Sequence, residues 1–187
     1  ALVCDLSLDL SGKVIRSQFY PAVIHSHARL TYNQVADWLS GEVTPPEYVD
    51  LLPCLHEFYH LYQTLRSNRE QRGAIDFESR ETRIAFDQQG KIERIQPVSR
   101  NVAHTMIEEA MLLANCTAAR FLQRHKMPAL YRVHSVPPKE KLTALITSLK
   151  ERGLTLNTSS SPTSADYAAL MKDVADRPDA HFLQTLI

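Results

Sequence analysis

The sequence predicts an α+β fold in which antiparallel hairpins or a sheet pack against several α-helices. Two pairs of alternating apolar stretches each flank a glycine-containing turn, which is typical of β-hairpins. Other segments carry apolar residues every three or four positions, which is typical of amphipathic helices. The two patterns are segregated along the chain and do not strictly alternate. The 187 residues can form one good core or two small ones.

The first hairpin is predicted from residues 1–10 and 13–24, which alternate on either side of Ser11-Gly12. A second is predicted over residues 75–98 around Gln88-Gln89-Gly90. We expect both hairpins to lie in one sheet. A further short strand is predicted at residues 129–136, which read ALYRVHSV.

Two helices are predicted between these hairpins. Thr31 is a suitable N-cap for a short helix that runs through Leu39 and ends at Gly41. Pro45-Pro46 opens a longer helix that Gly73 terminates, with Pro53 marking its true start or a kink.

The strongest helical pattern extends from Asn101 to His125, and we expect this helix to pack on the sheet. Another helix is predicted from Lys139 to Arg152, closed by Gly153, and two more follow, one capped by Ser164 and one after Pro178. The predicted apolar face of the strongest helix consists of Ile107, Ala110, Met111, Ala114, Ala118, Phe121 and Leu122.

The composition restricts the possible functions. Lys plus Arg and Asp plus Glu both number 21, so the net charge is zero, whereas a free-standing nucleic-acid binder is usually basic. Any contact with nucleic acid must therefore be local or shared with other segments. The three cysteines are widely spaced and form no CxxC pair, which favours a reduced, cytoplasmic protein. No apolar run approaches 18 residues, so no membrane partner is expected.

Residues 56–60 read His-Glu-Phe-Tyr-His, which matches the HExxH pattern of zinc hydrolases. On a helix His56 and His60 share one face, and Glu57 is placed to activate a water molecule. The alternative interpretation is an ordinary helix whose polar face carries two histidines. We favour it because no downstream HxxGxxH completes a ligand set. A zinc-dependent hydrolase is therefore the second hypothesis, and a protein-interaction module is a third.

Four motifs in this order and spacing carry a resemblance to a known family. They are SHARLTY at 26–32, RGAIDFES at 72–79, IEEAMLLAN at 107–115 and VADRPDA at 174–180. Together they resemble the RNB catalytic domain of the ribonuclease II and ribonuclease R exoribonucleases. The motifs resemble those of ribonuclease R more closely than those of ribonuclease II. Residues 1–187 are thereby identified as a central-to-C-terminal part of such a domain.

The resemblance implies a processive, hydrolytic 3′-to-5′ exoribonuclease that releases nucleoside 5′-monophosphates with Mg²⁺. Its expected partner is the 3′ end of single-stranded RNA, with no DNA and no membrane. In the family, an aspartate cluster upstream of this segment holds the metal, and an arginine segment lies downstream. We therefore expect no metal ligands, no bound Mg²⁺ and no catalytic residues within residues 1–187, and no ribonuclease activity from this chain alone.

The resemblance also implies roles for three residues. Tyr32 is expected beside the RNA 3′ region, Phe77 on the terminal base and Glu108 near the terminal nucleotide as a possible accessory group. A carboxylate there can accept hydrogen bonds from ribose hydroxyls, which distinguishes RNA from DNA. We expect Phe77 and Glu108 to face one cleft. The alternatives are that Tyr32 packs on the helix face of Trp38, that Phe77 is a buried strand residue, and that Glu108 is solvated.

Spacing alone suggests one more binding feature. Arg66, Arg69 and Arg72 recur every three residues at the end of a predicted helix and could line a phosphate path. A solvated helix face is the alternative interpretation.

Overall fold

The chain folds into two compact units of mixed α and β structure. The structure is a computed structural model that describes residues 1–75, 82–97, 100–133, 135–157 and 161–187. The first unit comprises residues 1–67 and 80–129, and the second comprises residues 68–79 and 130–187. The described residues form six α-helices and two two-stranded antiparallel sheets, which confirms the predicted α+β class.

The first hairpin pairs β1 (Leu2–Leu8) with β2 (Val14–Pro21). Its turn is organised by Asp9, whose Oδ1 accepts hydrogen bonds from the backbone of Ser11 at 2.9 Å and of Lys13 at 3.0 Å. The Ser11 hydroxyl also donates to this carboxylate, and these bonds lower the pKa of Asp9. Gly12 adopts a φ of 77°, a backbone conformation that residues other than glycine rarely adopt.

The second hairpin repeats this turn. It pairs β3 (Thr82–Phe86) with β4 (Ile92–Pro97), and Asp87 accepts backbone hydrogen bonds from Gln89 and Lys91, both at 2.9 Å. The predicted turn is therefore confirmed. The expectation of one joint sheet is wrong for the described strands, because each hairpin forms its own two-stranded sheet. Alternation along a strand specifies which face is buried but does not specify the neighbouring strand.

The next two helices begin and end close to their predicted limits. Helix α1 (Tyr32–Leu39) is capped by Thr31, whose hydroxyl accepts from the Gln34 N–H, while the Gln34 side chain accepts from the Thr31 N–H. A 3₁₀ turn (Pro46–Leu51) precedes α2 (Leu52–Gln71), so the α-helix begins later than Pro45-Pro46, and Pro53 in its first turn marks its true start.

The longest described helix is α3 (Val102–Arg124), which agrees with the predicted range of Asn101 to His125. Asn101 caps its N-terminus and His125 its C-terminus. Its buried face is not the predicted one, because Ile107 and Met111 are 39% and 58% exposed whereas Met106 is 1% exposed. The helix is apolar around much of its circumference, so periodicity could not determine which side is packed. The buried positions are Ala103, Met106, Glu109 and Thr117.

The second unit contains α4 (Lys139–Lys150), α5 (Ser164–Val174) and α6 (Ala180–Leu186). Thr163, and not the predicted Ser164, caps α5 through a reciprocal pair of hydrogen bonds with Asp166. Gly73, also in this unit, is required for close packing, since a Cβ there would lie 2.6 Å from Ala165 Cα. The core of the unit consists of Leu149, Leu156, Leu170, Val174 and Leu183.

One predicted strand is absent from the second unit. Residues 129–133 and 135–136 form neither helix nor strand, so the strand predicted at 129–136 is wrong for the residues described there. Apolar alternation produces a strand only where a neighbouring strand completes its hydrogen bonds. None of the described helices is both long and apolar enough to cross a bilayer.

Candidate nucleic-acid interface

The N-termini of α1 and α3 meet in the first unit and form a polar junction. The side-chain amide of Asn101 donates to the side-chain oxygen of Asn33 over 3.1 Å, which joins the cap of α3 to the first turn of α1. Asn101 also forms a reciprocal capping pair with His104: the Asn101 N–H donates to Nδ1, and the His104 N–H donates to Oδ1. The junction is therefore fixed by local caps on both helices.

Tyr32 occupies this junction and stacks on His104. Their ring centroids are 3.8 Å apart and the planes differ by 21°. Since the imidazole is itself held by Asn101, the tyrosine ring rests on an ordered neighbour. Tyr32 remains 45% exposed. Among the described residues, the ring contact of Trp38 is with Tyr48, at 5.3 Å, and that of Tyr32 is with His104.

An apolar pocket of about 170 Å³ opens beside Tyr32. Its walls come from α1, α2 and α3, and the segment preceding α1 closes one side. A pocket lined by apolar and aromatic side chains next to polar groups is typical of a ligand site. The lining residues are Leu30, Thr31, Tyr32, Val35, Leu55, Phe58, Ala103, Met106 and Ile107.

The two adjacent glutamates of α3 have different environments. Glu108 is half-buried and forms an ion pair with Arg100, and the two side chains are 36% and 38% exposed. Glu109 is only 4% exposed and belongs to the packed face of the helix. Successive helical residues point about 100° apart, which separates the two carboxylates. Of the two, Glu108 is the more accessible to a ligand.

The predicted arginine series divides at the end of α2. Arg66 and Arg69 lie within the helix, are half-buried and are each engaged in an interaction of their own. Arg72 lies beyond the helix end and is exposed. Arg66 belongs to the first unit, while Arg69 and Arg72 belong to the second. The phosphate path along these residues stays a prediction.

Phe77 lies outside the described residues. Its expected stacking role, and the cleft that it would share with Glu108, therefore stay predictions.

No metal centre is found in the part of the chain that the structure describes. His56, Glu57 and His60 are exposed on α2, but no group of three His, Cys, Asp or Glu side chains is arranged to hold an ion. The described residues therefore do not fit a catalytic Mg²⁺, which requires several converging oxygen ligands. They also give the zinc-hydrolase hypothesis no support, since that site needs a third protein ligand.

Two residues of the junction were missed from sequence. His104 could have been found, because Asn101 lies three residues before it at a predicted helix start, which is the spacing of a capping pair. Arg100 carries no such signal. It precedes the helix and reaches Glu108 across two helical turns, a contact that only the folded geometry creates.

Comparison with known proteins relates the whole chain to one family. The model of the RNB domain matches residues 1–187. Ribonuclease R of Vibrio cholerae is 45% identical over all 187 residues, and ribonuclease R of Escherichia coli is 44% identical over the same length. The chain covers 23% of the length of each of these relatives.

Solved structures show the same similarity in three dimensions. Mycoplasma genitalium RNase R in complex with ribose methylated single-stranded RNA superposes with a TM-score of 0.86 at 33% identity. The same enzyme in complex with double-stranded RNA gives a TM-score of 0.87 at 32% identity. Each match covers 99% of this chain but only 29% and 33% of the respective structure.

Proposed function

The chain belongs to the RNB domain family, and from this premise we propose that it is part of the catalytic domain of a 3′-to-5′ exoribonuclease of the ribonuclease R type. In the proposed parent protein, RNA is hydrolysed processively from a single-stranded 3′ end to nucleoside 5′-monophosphates with Mg²⁺. We place the parent in the cytoplasm. Residues 1–187 form a central-to-C-terminal portion of the domain, and the metal-binding carboxylates belong to another part of the parent.

The observation that carries this proposal is the junction of Tyr32, His104, Glu108 and Arg100 beside an apolar pocket. Tyr32 offers an aromatic ring that is already ordered by His104. Stacking on such a ring is independent of base identity, which suits an enzyme that must accept every nucleotide.

Glu108 supplies the recognition of ribose in this proposal. Its carboxylate is held in place by Arg100 and remains partly exposed. Hydrogen bonds from ribose hydroxyls to this carboxylate would favour RNA over DNA. Arg100 is then available to a neighbouring phosphate as a guanidinium donor. The chain's own part in the reaction is thus to bind and orient the substrate strand.

The activity test uses the purified 187-residue chain. It is incubated with a 5′-labelled single-stranded oligoribonucleotide and Mg²⁺ or Mn²⁺, and the products are resolved on a denaturing gel. We expect no shortening above a buffer control, because the described residues provide no cluster of metal-binding carboxylates. Stepwise degradation to a short limit product would contradict the proposed division of labour.

The binding test follows the same oligoribonucleotide by fluorescence anisotropy. Tyr32→Ala should weaken binding by about 1–3 kcal/mol, the contribution of one base-stacking ring. Tyr131→Ala is the matched control, since Tyr131 is 57% exposed and lies outside the junction. Glu108→Gln should reduce the preference for RNA over DNA of the same sequence. If the two tyrosine variants behaved alike, the junction would not be the binding site.

A further inference from the structure

A second depression, more polar than the pocket beside Tyr32, lies in the first unit at the other end of α3. It is a groove of about 440 Å³ between β2 and the last turns of α3. Three of its lining residues are arginines, one from the strand and two from the helix, and the rest supply hydroxyl, amide and short apolar groups. We call it the arginine groove, and the residues used below are Arg16, Ser17, Thr117, Arg120, Gln123 and Arg124.

The two helical arginines occupy positions that the helix otherwise uses for packing. The inward positions of α3 follow a spacing of three and four residues, from Ala103 through Met106 to Thr117, which are at most 4% exposed. Three and seven residues after Thr117, the same side of the helix carries Arg120 and Arg124. The packed face of the helix therefore ends in two exposed cations that point along the same side as its core residues.

The three arginines of the groove carry positive charge that no ion pair among the described residues offsets. None of the ion pairs among the described residues includes Arg16, Arg120 or Arg124. Three guanidinium groups around one depression repel each other, which lowers the stability of the folded state unless an anion joins them. Thr117, beneath them, directs its hydroxyl to the Leu113 carbonyl over 2.8 Å and gives no compensating charge.

We propose that the arginine groove binds the phosphodiester backbone of a nucleic acid strand. Guanidinium groups match phosphate oxygens with paired hydrogen bonds, and Ser17 and Gln123 add neutral donors at the same surface. No aromatic side chain lines the groove, so it offers no platform for bases. Binding there is independent of sequence and of the sugar.

The arginine groove is separate from the junction of Tyr32 and Glu108. The proposal that it binds phosphodiesters nevertheless rests on the proposed RNA-binding function of the chain. At a rise of 1.5 Å per residue, Arg120 and Arg124 lie about 18 and 24 Å along α3 from Glu108. They also point more than about 100° away from it around the helix axis. The groove therefore holds a part of the strand remote from the nucleotide at Glu108, or a second strand.

The experiment measures binding of labelled single-stranded RNA and DNA oligonucleotides to the 187-residue chain by fluorescence anisotropy at several salt concentrations. The test variant combines Arg16→Gln, Arg120→Gln and Arg124→Gln. The matched control removes the same charge from exposed positions of α4 through Lys139→Gln, Lys141→Gln and Lys150→Gln. Circular dichroism melting checks the folding of both variants.

We expect the groove variant to lose about 100-fold in affinity at 0.1 M salt for both oligonucleotides. Each phosphate contact contributes about 0.7 to the slope of log affinity against log salt for single strands, so the slope should fall by about 2. The control variant should keep the wild-type slope. If the triple variant does not fold, Arg16→Gln and Arg124→Gln alone should each cost about 5-fold.

Two results separate the groove from the proposed function. If the groove variant bound RNA like the wild type while Tyr32→Ala weakened binding, the groove proposal alone would be overturned. If the wild-type chain bound neither oligonucleotide, both proposals would fail together. A labelled polyglutamate peptide serves as a third probe, and groove-dependent binding of that peptide in preference to both oligonucleotides would also overturn the assignment to phosphodiesters.

Discussion

The two units of this chain differ in how their buried apolar residues are arranged. In the second unit, Leu149, Val174 and Leu183 are fully buried in one cluster that joins α4, α5 and α6. In the first unit, the β3–β4 hairpin leaves Phe86 and Ile95 60% and 62% exposed. The buried apolar residues of the first unit are distributed over three helices and are Val35, Trp38, Leu65, Ala103 and Met106.

Under the proposed function, this difference corresponds to a division between stability and binding. The second unit concentrates its apolar side chains into a core, and such burial stabilises a fold at about 25 cal/mol per Å². The first unit carries the Tyr32 junction and the arginine groove, both built from polar and charged groups at helix ends and a strand. Surfaces that bind a ligand must keep such groups exposed, which reduces what the same elements can bury.

The largest effect is expected from Leu149→Ala in the second unit. Truncation of a fully buried leucine leaves a cavity and should lower the free energy of unfolding by about 2–5 kcal/mol. The measurement is denaturant unfolding combined with amide hydrogen exchange of α5. Ile95→Ala in the exposed hairpin is the control and should change stability by less than about 0.5 kcal/mol. Equal losses from the two changes would contradict the comparison between the units.

An intermediate effect is expected from Asn101→Ala in the first unit. Loss of the cap of α3 should cost about 1 kcal/mol, and it also releases His104 and therefore the ring beneath Tyr32. In this variant, both the free energy of unfolding and the RNA affinity measured by anisotropy should fall. Thr163→Ala removes the equivalent cap of α5 in the second unit and should lower stability without changing RNA affinity. If both variants weakened RNA binding equally, the division between stability and binding would be wrong.

The smallest effect concerns acid stability. The pKa of Asp166 is lowered below its ordinary value of 3.8 chiefly because the Thr163 hydroxyl donates to it, with a second bond from the Thr163 N–H. This stabilisation is complete above pH 3.8 and is lost as the pH falls through the lower pKa of the folded state. Asp166→Asn should therefore flatten the pH dependence of α5 hydrogen exchange in that acidic range. An unchanged profile would show that the bond does not persist in solution.

Local rules read from the sequence were sufficient for most element boundaries. The caps at Thr31 and Asn101 and the terminator at Gly73 act through their own side chains or φ angle, so residues nearby in sequence determine them. The same holds for the turns at Gly12 and Gly90. The resemblance to the RNB family likewise depended on four motifs in order, and the match over residues 1–187 confirms it.

The sequence by itself thus determined the α+β class, the helices, the two hairpin turns and the family. Only the tertiary structure decided which face of α3 is packed, that each hairpin forms its own sheet, and that Arg100 reaches Glu108. These features depend on contacts between residues that are distant in sequence or separated by helical turns. Periodicity indicates the type of an element, whereas the buried face of a broadly apolar helix and the neighbour of each hairpin depend on how all the elements pack together.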